Sequence, residues 1–359
     1  MSTLWSDHLA GLIPYVPGEQ ARIPNLLKLN TNENPYGPSP KALAAMRDAL
    51  SDDLRLYPDP QGTLLRRAIA RRHRLAPDQV FLGNGSDEVL AHVFNAFFLR
   101  GGRPLWLPDI TYSFYRTYCR FFDVPHRLIP LADDFTLRVS DYTEAVDQAP
   151  AGVIFANPNA PTGCALGLDA IRRIAQARAD CVVVVDEAYV DFGAQSAVAL
   201  LHELPNLLVV HTLSKSRALA GLRVGYAMGS PELIAGLVRV KDSFNSYPLD
   251  RVALAGAQAA IEDEDWFERT CRAVIDARTR LARDLQALGF VVLPSETNFL
   301  FASHRTREAA EIARLLRAQG ILVRHFQAPR IDPYLRITVG TPEQCMRLCD
   351  TLKNVLSTN

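Results

Sequence analysis

The sequence has no excess of charge and no long apolar run. Its 359 residues include 39 basic and 39 acidic side chains, so no broad surface of one sign is expected for nucleic acid or an anionic membrane. No apolar stretch approaches the roughly 20 residues that cross a bilayer. The N-terminus lacks the basic and then apolar pattern of a signal peptide. We therefore expect a cytoplasmic protein that binds neither nucleic acid nor membranes.

The sequence is also poor in cysteine and has no internal repeat. Cys345 and Cys349 lie four residues apart, but no second pair of cysteines or histidines completes a zinc pattern. The other four cysteines are scattered along the chain. This usage predicts reduced, buried thiols and no metal site.

What the sequence does contain is an alternation of short apolar runs and helical patterns. Predicted strands cover residues 79–83, 103–108, 152–156, 181–186 and 207–212. Because several of these runs are apolar throughout, we expect a mostly parallel central sheet with helices on both faces, an α/β fold. After about residue 247, a long amphipathic segment leads into shorter strands. We predict an N-terminal arm (1–28), a large domain (29–246) and a smaller α+β C-terminal domain (247–359).

Polar residues follow the ends of the predicted strands, which is where ligands bind in an open parallel sheet. The turn NGSDEV begins a helix near Ser86 and suits a phosphate. Tyr112 and Tyr115 follow the second strand and could stack on a flat ring. The segment NPNAPTG leaves the amide of Asn157 at the end of the third strand. Taken singly, these features also suit a helix-starting turn, core aromatics and a rigid loop.

The fourth and fifth strands are followed by ionisable groups. Asp186 ends a run of four valines, where burial raises its pKa unless it meets a positive partner such as a protonated pyridine nitrogen. Taken alone, it could instead cap the next helix. Ser214 and Lys215 follow the fifth strand, and Arg223 lies eight residues after Lys215. A hydroxyl and a guanidinium suit phosphate, and cationic neighbours favour the neutral amine that forms a Schiff base.

Together these groups match the requirements of pyridoxal phosphate. A phosphate cup, a stacking aromatic, an acid for the ring nitrogen and a Schiff-base lysine are the parts that this cofactor needs. Tyr189, three residues after Asp186, could place its hydroxyl beside the same ring. Arg217 has no role in this scheme, and we expect it to be a charge on a helix surface.

Several motifs resemble a known family. NPNAPTG, DEAY and SKSRALAGLRVGY resemble the fold-type I, aspartate-aminotransferase-like enzymes, in that family's order and through nearly the whole chain. More narrowly, LNTNENPYGPSP, RLYPDPQG, DSFNSYPLDR and YLRITVGT resemble the histidinol-phosphate aminotransferase family. The resemblance implies a pyridoxal-phosphate-dependent aminotransferase that interconverts L-histidinol phosphate and 2-oxoglutarate with imidazole-acetol phosphate and L-glutamate, in histidine biosynthesis. Ala160 departs from a frequent asparagine, and RHFQAPRIDPY is an individual version of a variable loop.

The resemblance also implies roles for single residues around the cofactor. Lys215 would hold it covalently and move a proton, and Asp186 would pair with its ring nitrogen. Asn157 and Tyr189 would bind its phenolic oxygen, and Tyr112 would stack on its ring. The implied phosphate contacts are Ser86, Asp87, Ser214 and Arg223, with Tyr57 reaching the site of a neighbouring subunit. An active homodimer follows from that last role.

Substrate binding is implied for a second group of residues. Arg336 would bind the α-carboxylate of the substrate, and Arg324 is the other candidate for an anionic group, since arginine binds either carboxylate or phosphate. Tyr15 and Tyr57 would act as hydroxyl partners. Asn32 and Glu33 could line the pocket or only shape the arm.

Other activities stay open on sequence grounds. Aromatic amino acid aminotransferases and threonine-phosphate decarboxylases share this scaffold and most of these motifs. A non-catalytic module of a regulator would carry a DNA-binding domain ahead of the fold. Only about thirty residues precede LNTNENP, which argues against that class.

Overall fold

The structure, a computed structural model, describes residues 4–10, 12–14, 18–19, 24–146 and 148–357. The strands are β1 (Leu27–Leu29), β2 (Val80–Asn84), β3 (Leu105–Pro108), β4 (His126–Ile129), β5 (Gly152–Ala156), β6 (Val182–Asp186), β7 (Leu207–Thr212), β8 (Val224–Met228), β9 (Phe290–Val292), β10 (Phe299–His304), β11 (Ile321–His325) and β12 (Tyr334–Thr338). The α-helices are α1 (Asp7–Ala10), α2 (Pro40–Asp48), α3 (Thr63–His73), α4 (Gly85–Val93), α5 (Phe114–Phe121), α6 (Ser140–Thr143), α7 (Leu168–Ala177), α8 (Pro231–Phe244), α9 (Arg251–Glu262), α10 (Glu264–Ala287), α11 (Ala309–Ala318) and α12 (Pro342–Ser357).

The larger sheet has seven strands in the order β2-β8-β7-β6-β5-β3-β4. Strand β8 runs antiparallel to both of its neighbours, and the remaining pairs are parallel. All five predicted strands lie in this sheet. The carboxyl ends of β5, β6 and β7 therefore meet at one edge, which positions the polar residues that follow them.

The apolar character of these strands is explained by helices on both faces. In β6, Val183 and Val185 belong to one buried cluster, whereas Val182 and Val184 belong to the cluster on the other face. Alternate side chains of a strand point to opposite faces, so a strand covered on both sides must be apolar at every position. Full burial of a valine stabilises the fold by about 1.5–3 kcal/mol.

Capping residues begin two of the helices that pack beneath the large sheet. Ser39 accepts hydrogen bonds from the N–H groups of Lys41 and Ala42 at the start of α2. Asp250 accepts from the N–H of Ala253, at 2.7 Å, at the start of α9. Such side chains satisfy backbone donors that the first turn leaves without an intrahelical partner.

The smaller sheet has five strands in the order β1-β11-β12-β10-β9. Strand β1 is the first strand of the chain, yet it pairs in parallel with β11 near the C-terminus. Helix α9 packs on α2 and α3, and its residues Ala253 and Ala257 join the core of the large sheet. The domain division stays a prediction. Helix α9 follows the predicted boundary near residue 247, yet it packs in the core of the large sheet.

The six cysteines are all free thiols, five of them buried and Cys164 half-buried. Among the described residues, no helix combines the length and the apolarity that crossing a membrane requires. The same part of the chain contains no group of three or more histidine, cysteine or acidic side chains arranged to hold a metal ion.

The fold prediction is confirmed: the chain has a mostly parallel central sheet with helices on both faces, and a second, smaller sheet is formed by β1 and the C-terminal strands β9 to β12.

Candidate active site

A cavity of about 520 Å³ opens at the edge where β5, β6 and β7 end. Its wall contains six of the residues that the sequence singled out, which are Asn32, Tyr112, Tyr189, Lys215, Arg324 and Arg336. Residues from the N-terminal segment, from both sheets and from the loop after β11 therefore meet around one space. Five further predicted residues, Ser86, Asp87, Asp186, Ser214 and Arg223, lie at the ends of neighbouring strands and at the start of α4.

Asp186 is the buried acid of the site. The hydroxyl of Tyr115 donates to its Oδ2 at 2.7 Å, and the N–H of Ala188 donates to its Oδ1 at 3.2 Å. Burial raises the pKa of Asp186 to about 6 even though both hydrogen bonds favour the carboxylate. Tyr115 is itself fully buried, and burial beside Asp186 raises the pKa of its phenol well above the ordinary value. Tyr115 therefore stays a donor that fixes the carboxylate, a role that sequence reasoning did not assign to it.

Lys215 follows β7 and lies under the N-terminal segment. Its Nζ is 3.4 Å from the carbonyl oxygen of Thr31 and 5.7 Å from the centre of the Tyr189 ring. The side chain of Asn34 donates to the carbonyl oxygens of Lys215 and Ser216, at 3.0 and 3.3 Å. Asn34 thus joins the segment after β1 to the backbone of Lys215. The only sequence signal for this contact is the position of Asn34 in the motif LNTNENPYGPSP.

Asn32 joins the pocket to the smaller sheet. Its side-chain nitrogen donates to the Tyr189 hydroxyl at 2.9 Å, while its backbone N–H donates to Thr338 at 3.0 Å. Asn298 donates in turn to the carbonyl oxygen of Asn32 at 2.9 Å. Asn32 therefore lines the pocket and joins the segment after β1 to the smaller sheet. Glu33 instead forms an ion pair with Lys28 on the outer side.

The start of α4 forms a cup of closely packed backbone. A Cβ at Gly225 would lie 2.3 Å from the backbone nitrogen of Ser86, and a Cβ at Gly85 would lie 2.5 Å from Nη2 of Arg223. The backbone contact excludes a side chain at Gly225, whereas at Gly85 the positive φ of 75° disfavours one. Backbone N–H groups at a helix start attract anions, and the guanidinium of Arg223 reaches this helix start.

Asp87 and Ser214 complete the surroundings of the cup. The carboxylate of Asp87 accepts from Nη2 of Arg223 at 2.9 Å and from the hydroxyl of Tyr112 at 3.2 Å. The hydroxyl of Ser214 accepts from Thr212 at 2.9 Å, which leaves its own hydrogen to be donated. The side chains of Arg223, Asp87 and Tyr112 are thereby held in one hydrogen-bonded group.

The expected free amide of Asn157 is not observed. Its Oδ1 accepts from the N–H of Leu166 at 2.7 Å, and its Nδ2 donates to the carbonyl oxygen of Leu166 at 3.1 Å. Asn157 closes the loop that follows β5, because its side chain pairs with backbone nine residues further along. The second hydrogen of the amide nitrogen is still available for a hydrogen bond, whereas the amide oxygen is used by the N–H of Leu166.

Arg324 and Arg336 lie directly opposite each other on β11 and β12. Both guanidinium groups lie over the ring of Phe326, at 5.5 and 5.3 Å from its centre. Nη2 of Arg336 also donates to the carbonyl oxygen of Asn30 at 2.9 Å. Like charges on opposite residues of two strands oppose pairing, so this pair indicates a site for an anion at the cavity wall.

Tyr57 and Arg217 do not line the cavity. The Tyr57 side chain is 80% exposed and stacks on Tyr247 at 4.7 Å, so it does not line the cavity of its own chain. Tyr15 lies outside the described residues. The prediction that Arg217 is a surface charge is wrong, since Arg217 is buried, lies 3.7 Å from the centre of the Phe267 ring and donates to the carbonyl oxygen of Ala260 at 2.6 Å. Burial lowers the pKa of Arg217 to about 10.

Comparison with known proteins defines the class. The model of the aminotransferase class I and II family matches residues 24–352, and the chain belongs to that family. The histidinol-phosphate aminotransferase 1 of Pseudomonas aeruginosa is 58% identical over 352 residues, which cover 98% of this chain and 99% of that protein. The histidinol-phosphate aminotransferase of Aromatoleum aromaticum is 58% identical over 356 residues, or 99% of this chain and 100% of that protein.

A solved structure agrees with these sequence relatives. The crystal structure of histidinol-phosphate aminotransferase from Sinorhizobium meliloti in complex with pyridoxal-5'-phosphate has a TM-score of 0.89 and 25% identity. The alignment covers 99% of this chain and 98% of that one. The predicted fold-type I architecture and the predicted resemblance are both confirmed.

Proposed function

We propose that the protein is a pyridoxal-phosphate-dependent aminotransferase that interconverts L-histidinol phosphate and 2-oxoglutarate with imidazole-acetol phosphate and L-glutamate. This places it in histidine biosynthesis. The observation that carries the proposal is the meeting of three groups at one sheet edge: the buried Asp186, the lysine Lys215 and the anion cup at Ser86. Relatives named for this activity match nearly the whole chain at 58% identity.

The residues present fit the cofactor. A carboxyl whose ionised form is disfavoured by burial requires a cation, and a protonated ring nitrogen supplies one. Gly225 packs directly on the backbone of Ser86, and Gly85 has a positive φ and lies beside the Arg223 guanidinium; this arrangement suits a phosphate held by N–H groups and by Arg223. When bound, pyridoxal phosphate supplies an electron sink for bond breaking at the substrate carbon that carries the amino group.

The chain's own groups then have separable tasks. Lys215 anchors the cofactor through Nζ and afterwards moves a proton at the reacting substrate carbon. Tyr189, whose hydroxyl accepts from Asn32, and Asn157, through its remaining N–H, would bind the phenolic oxygen of the cofactor. Tyr112, with its hydroxyl on Asp87, would stack on the cofactor ring.

Arg324 and Arg336 supply the anion site for both substrates. Glutamate and 2-oxoglutarate carry two carboxylates, whereas histidinol phosphate carries a phosphate and no carboxylate. A guanidinium pairs in a bidentate manner with either group, so two adjacent arginines on β11 and β12 can serve both. The phenyl ring of Phe326 excludes water from one side of each guanidinium.

We further propose that the enzyme is a cytoplasmic homodimer. The exposed Tyr57 lies against Tyr247 and away from the cavity of its own chain. In a dimer the same hydroxyl can reach the phosphate cup of the partner subunit. Exposed apolar side chains near it in sequence, such as Leu54 and Leu56, would then be covered.

The test uses the purified protein supplied with pyridoxal phosphate. We expect an absorbance band in the near-ultraviolet or visible range that stays with the wild-type protein, but not with Lys215→Ala, after borohydride reduction and gel filtration in urea, because only the lysine amine binds the cofactor covalently. We also expect faster amino transfer from glutamate to imidazole-acetol phosphate than to phenylpyruvate, and no release of CO2 from threonine phosphate. A wild-type protein without the band, or with faster turnover of phenylpyruvate, would contradict the proposal.

A further inference from the structure

Three buried polar side chains and one half-buried histidine near the site form a hydrogen-bonded chain with no role in the proposed function. Nε2 of His211 lies 2.8 Å from Oε2 of Glu187, and Nδ1 of the same ring lies 3.2 Å from the hydroxyl of Tyr226. That hydroxyl is also 3.4 Å from Nε2 of His73. We refer to Glu187, His211, Tyr226 and His73 as the His211 network.

The His211 network lies on the face of the large sheet opposite Asp186. Tyr115, which donates to Asp186, packs in the cluster that contains Val184. Tyr226 packs in the cluster that contains Val185, and successive strand residues point to opposite faces. The network therefore lines no part of the cavity. Apart from the electrostatic interaction of His211 with Asp186, it acts on the site through the strands.

Each strand that the network joins ends in, or directly adjoins the segment that carries, a residue of the proposed cofactor site. The neighbours in sequence, separated by at most four residues, are Glu187 with Asp186 at β6, His211 with Lys215 at β7, and Tyr226 with Arg223 at β8. His211 and Tyr226 are themselves partners across β7 and β8. The network thus connects the ends of three adjacent strands, and His73 connects them to α3.

The hydrogen bond between Glu187 and His211 has a defined direction. The carboxylate of Glu187 accepts from the hydroxyl of Ser196 and the N–H of Ala197, both at 2.6 Å, so Nε2 of His211 is the donor to it. Burial lowers the pKa of His73 to about 3, so this ring is neutral near pH 7 and has one donor and one acceptor nitrogen. The Tyr226 hydroxyl can therefore bond both histidines at once.

We propose that the His211 network positions the cofactor-binding groups by holding the ends of β6, β7 and β8 in fixed register. Glu187, His211 and Tyr226 are then positioning residues for Asp186, Lys215 and Arg223. A displacement of about 1 Å at a reacting group can lower a rate about 100-fold, so a rigid link between the three strands matters for catalysis. The inference rests on the proposed function, because the groups that it positions are those that hold pyridoxal phosphate.

The first test removes a single hydroxyl from the cofactor-loaded enzyme. In Tyr226→Phe we expect kcat to fall about tenfold and KM for both substrates to stay within about twofold. We also expect the circular dichroism of the cofactor band to change, because that signal reports the orientation of the bound ring. Tyr142→Phe is the matched control: Tyr142 is equally buried, packs on Trp106, and its hydroxyl makes no hydrogen bond with the described residues.

A second pair of variants separates positioning from folding. His211→Gln keeps an amide nitrogen that can donate to Glu187 in place of Nε2, whereas His211→Leu removes the donor. We expect the glutamine variant to recover the cofactor dichroism and most of kcat, and the leucine variant to recover neither. His202→Leu, at an exposed histidine, should behave as wild type.

The outcomes distinguish this inference from the proposed function. Lowered unfolding midpoints in Tyr226→Phe and His211→Leu, with kcat and the cofactor dichroism unchanged, would overturn the positioning role and leave the network purely structural. Equal kcat in His211→Gln and His211→Leu would also overturn it. A wild-type protein with no cofactor band would instead overturn the proposed function.

Discussion

Removing the charge of Asp186 is expected to stabilise the protein when pyridoxal phosphate has been stripped from it. The carboxyl is buried, and its pKa is raised from 3.8 to about 6. At pH 8 it must therefore be ionised in an environment that disfavours the charge. Asp186→Asn keeps the size and shape of the side chain and removes the ionisation.

The magnitude follows from the shift in pKa. Because the folded-state pKa lies above the unfolded value, ionisation opposes folding: the penalty is absent below pH 3.8, grows through that window and is complete above pH 6. At about 1.4 kcal/mol per pKa unit, the penalty is about 3 kcal/mol at pH 8 and about 1.5 kcal/mol at pH 5. Asparagine cannot accept from both Tyr115 and Ala188, and losing one hydrogen bond costs about 1 kcal/mol. The expected net gain is about 2 kcal/mol at pH 8 and well under about 1 kcal/mol at pH 5.

The assay is urea unfolding at pH 5 and pH 8, with one protein concentration throughout. Asp276→Asn, at an exposed position of α10, is the control and should change the free energy of unfolding at neither pH. With saturating pyridoxal phosphate the order should reverse, because only the carboxylate can pair with a protonated ring nitrogen. A gain that is equal at the two pH values, or a loss of stability at pH 8, would refute the reasoning.

Two further variants test the cup and the anion site. Gly225→Ala places a Cβ 2.3 Å from the backbone nitrogen of Ser86, so the start of α4 must move, and we expect the Kd for pyridoxal phosphate to rise at least about tenfold in an absorbance titration. Gly221→Ala, where a Cβ meets nothing within 4 Å, should leave the Kd unchanged, and an equal effect of both variants would contradict the cup. Arg324→Ala should raise KM for glutamate by about tenfold or more with a smaller effect on kcat, because a charged hydrogen bond to an anion is worth about 1.5–3 kcal/mol. Steady-state kinetics beside Arg305→Ala, an exposed arginine, measures this, and an unchanged KM would exclude Arg324 from the anion site.

Much of the site was predictable because its residues lie at the ends of neighbouring strands. A run such as VVVVD predicts a strand that is covered on both faces, and it also gives the position of the first charged residue at the end of that strand. The parallel order of β5, β6 and β7 then brings Asn157, Asp186 and Lys215 to one edge without any further information. Sequence patterns of this kind are local, and they locate residues along a strand reliably.

What could not be predicted depends on distant contacts. Arg217 is buried because Ala260 and Phe267, more than forty residues further along, cover it, and no local pattern records that packing. The amide of Asn157 is committed to Leu166 because the loop folds back on itself. The hydrogen bond from Tyr115 to Asp186 could not be predicted, because it depends on the direction in which α5 leaves the sheet.

The place of β1 has a consequence for the order in which the chain can become active during synthesis. Leu27 pairs with Ile321, and the bond from Asn32 to Thr338 joins residues 306 positions apart. Until nearly the last strand has left the ribosome, the segment that carries Thr31 and Asn34 has no sheet to join. The large sheet can form earlier, with Lys215 uncovered, so the cover over the lysine is completed only when the chain is almost fully made.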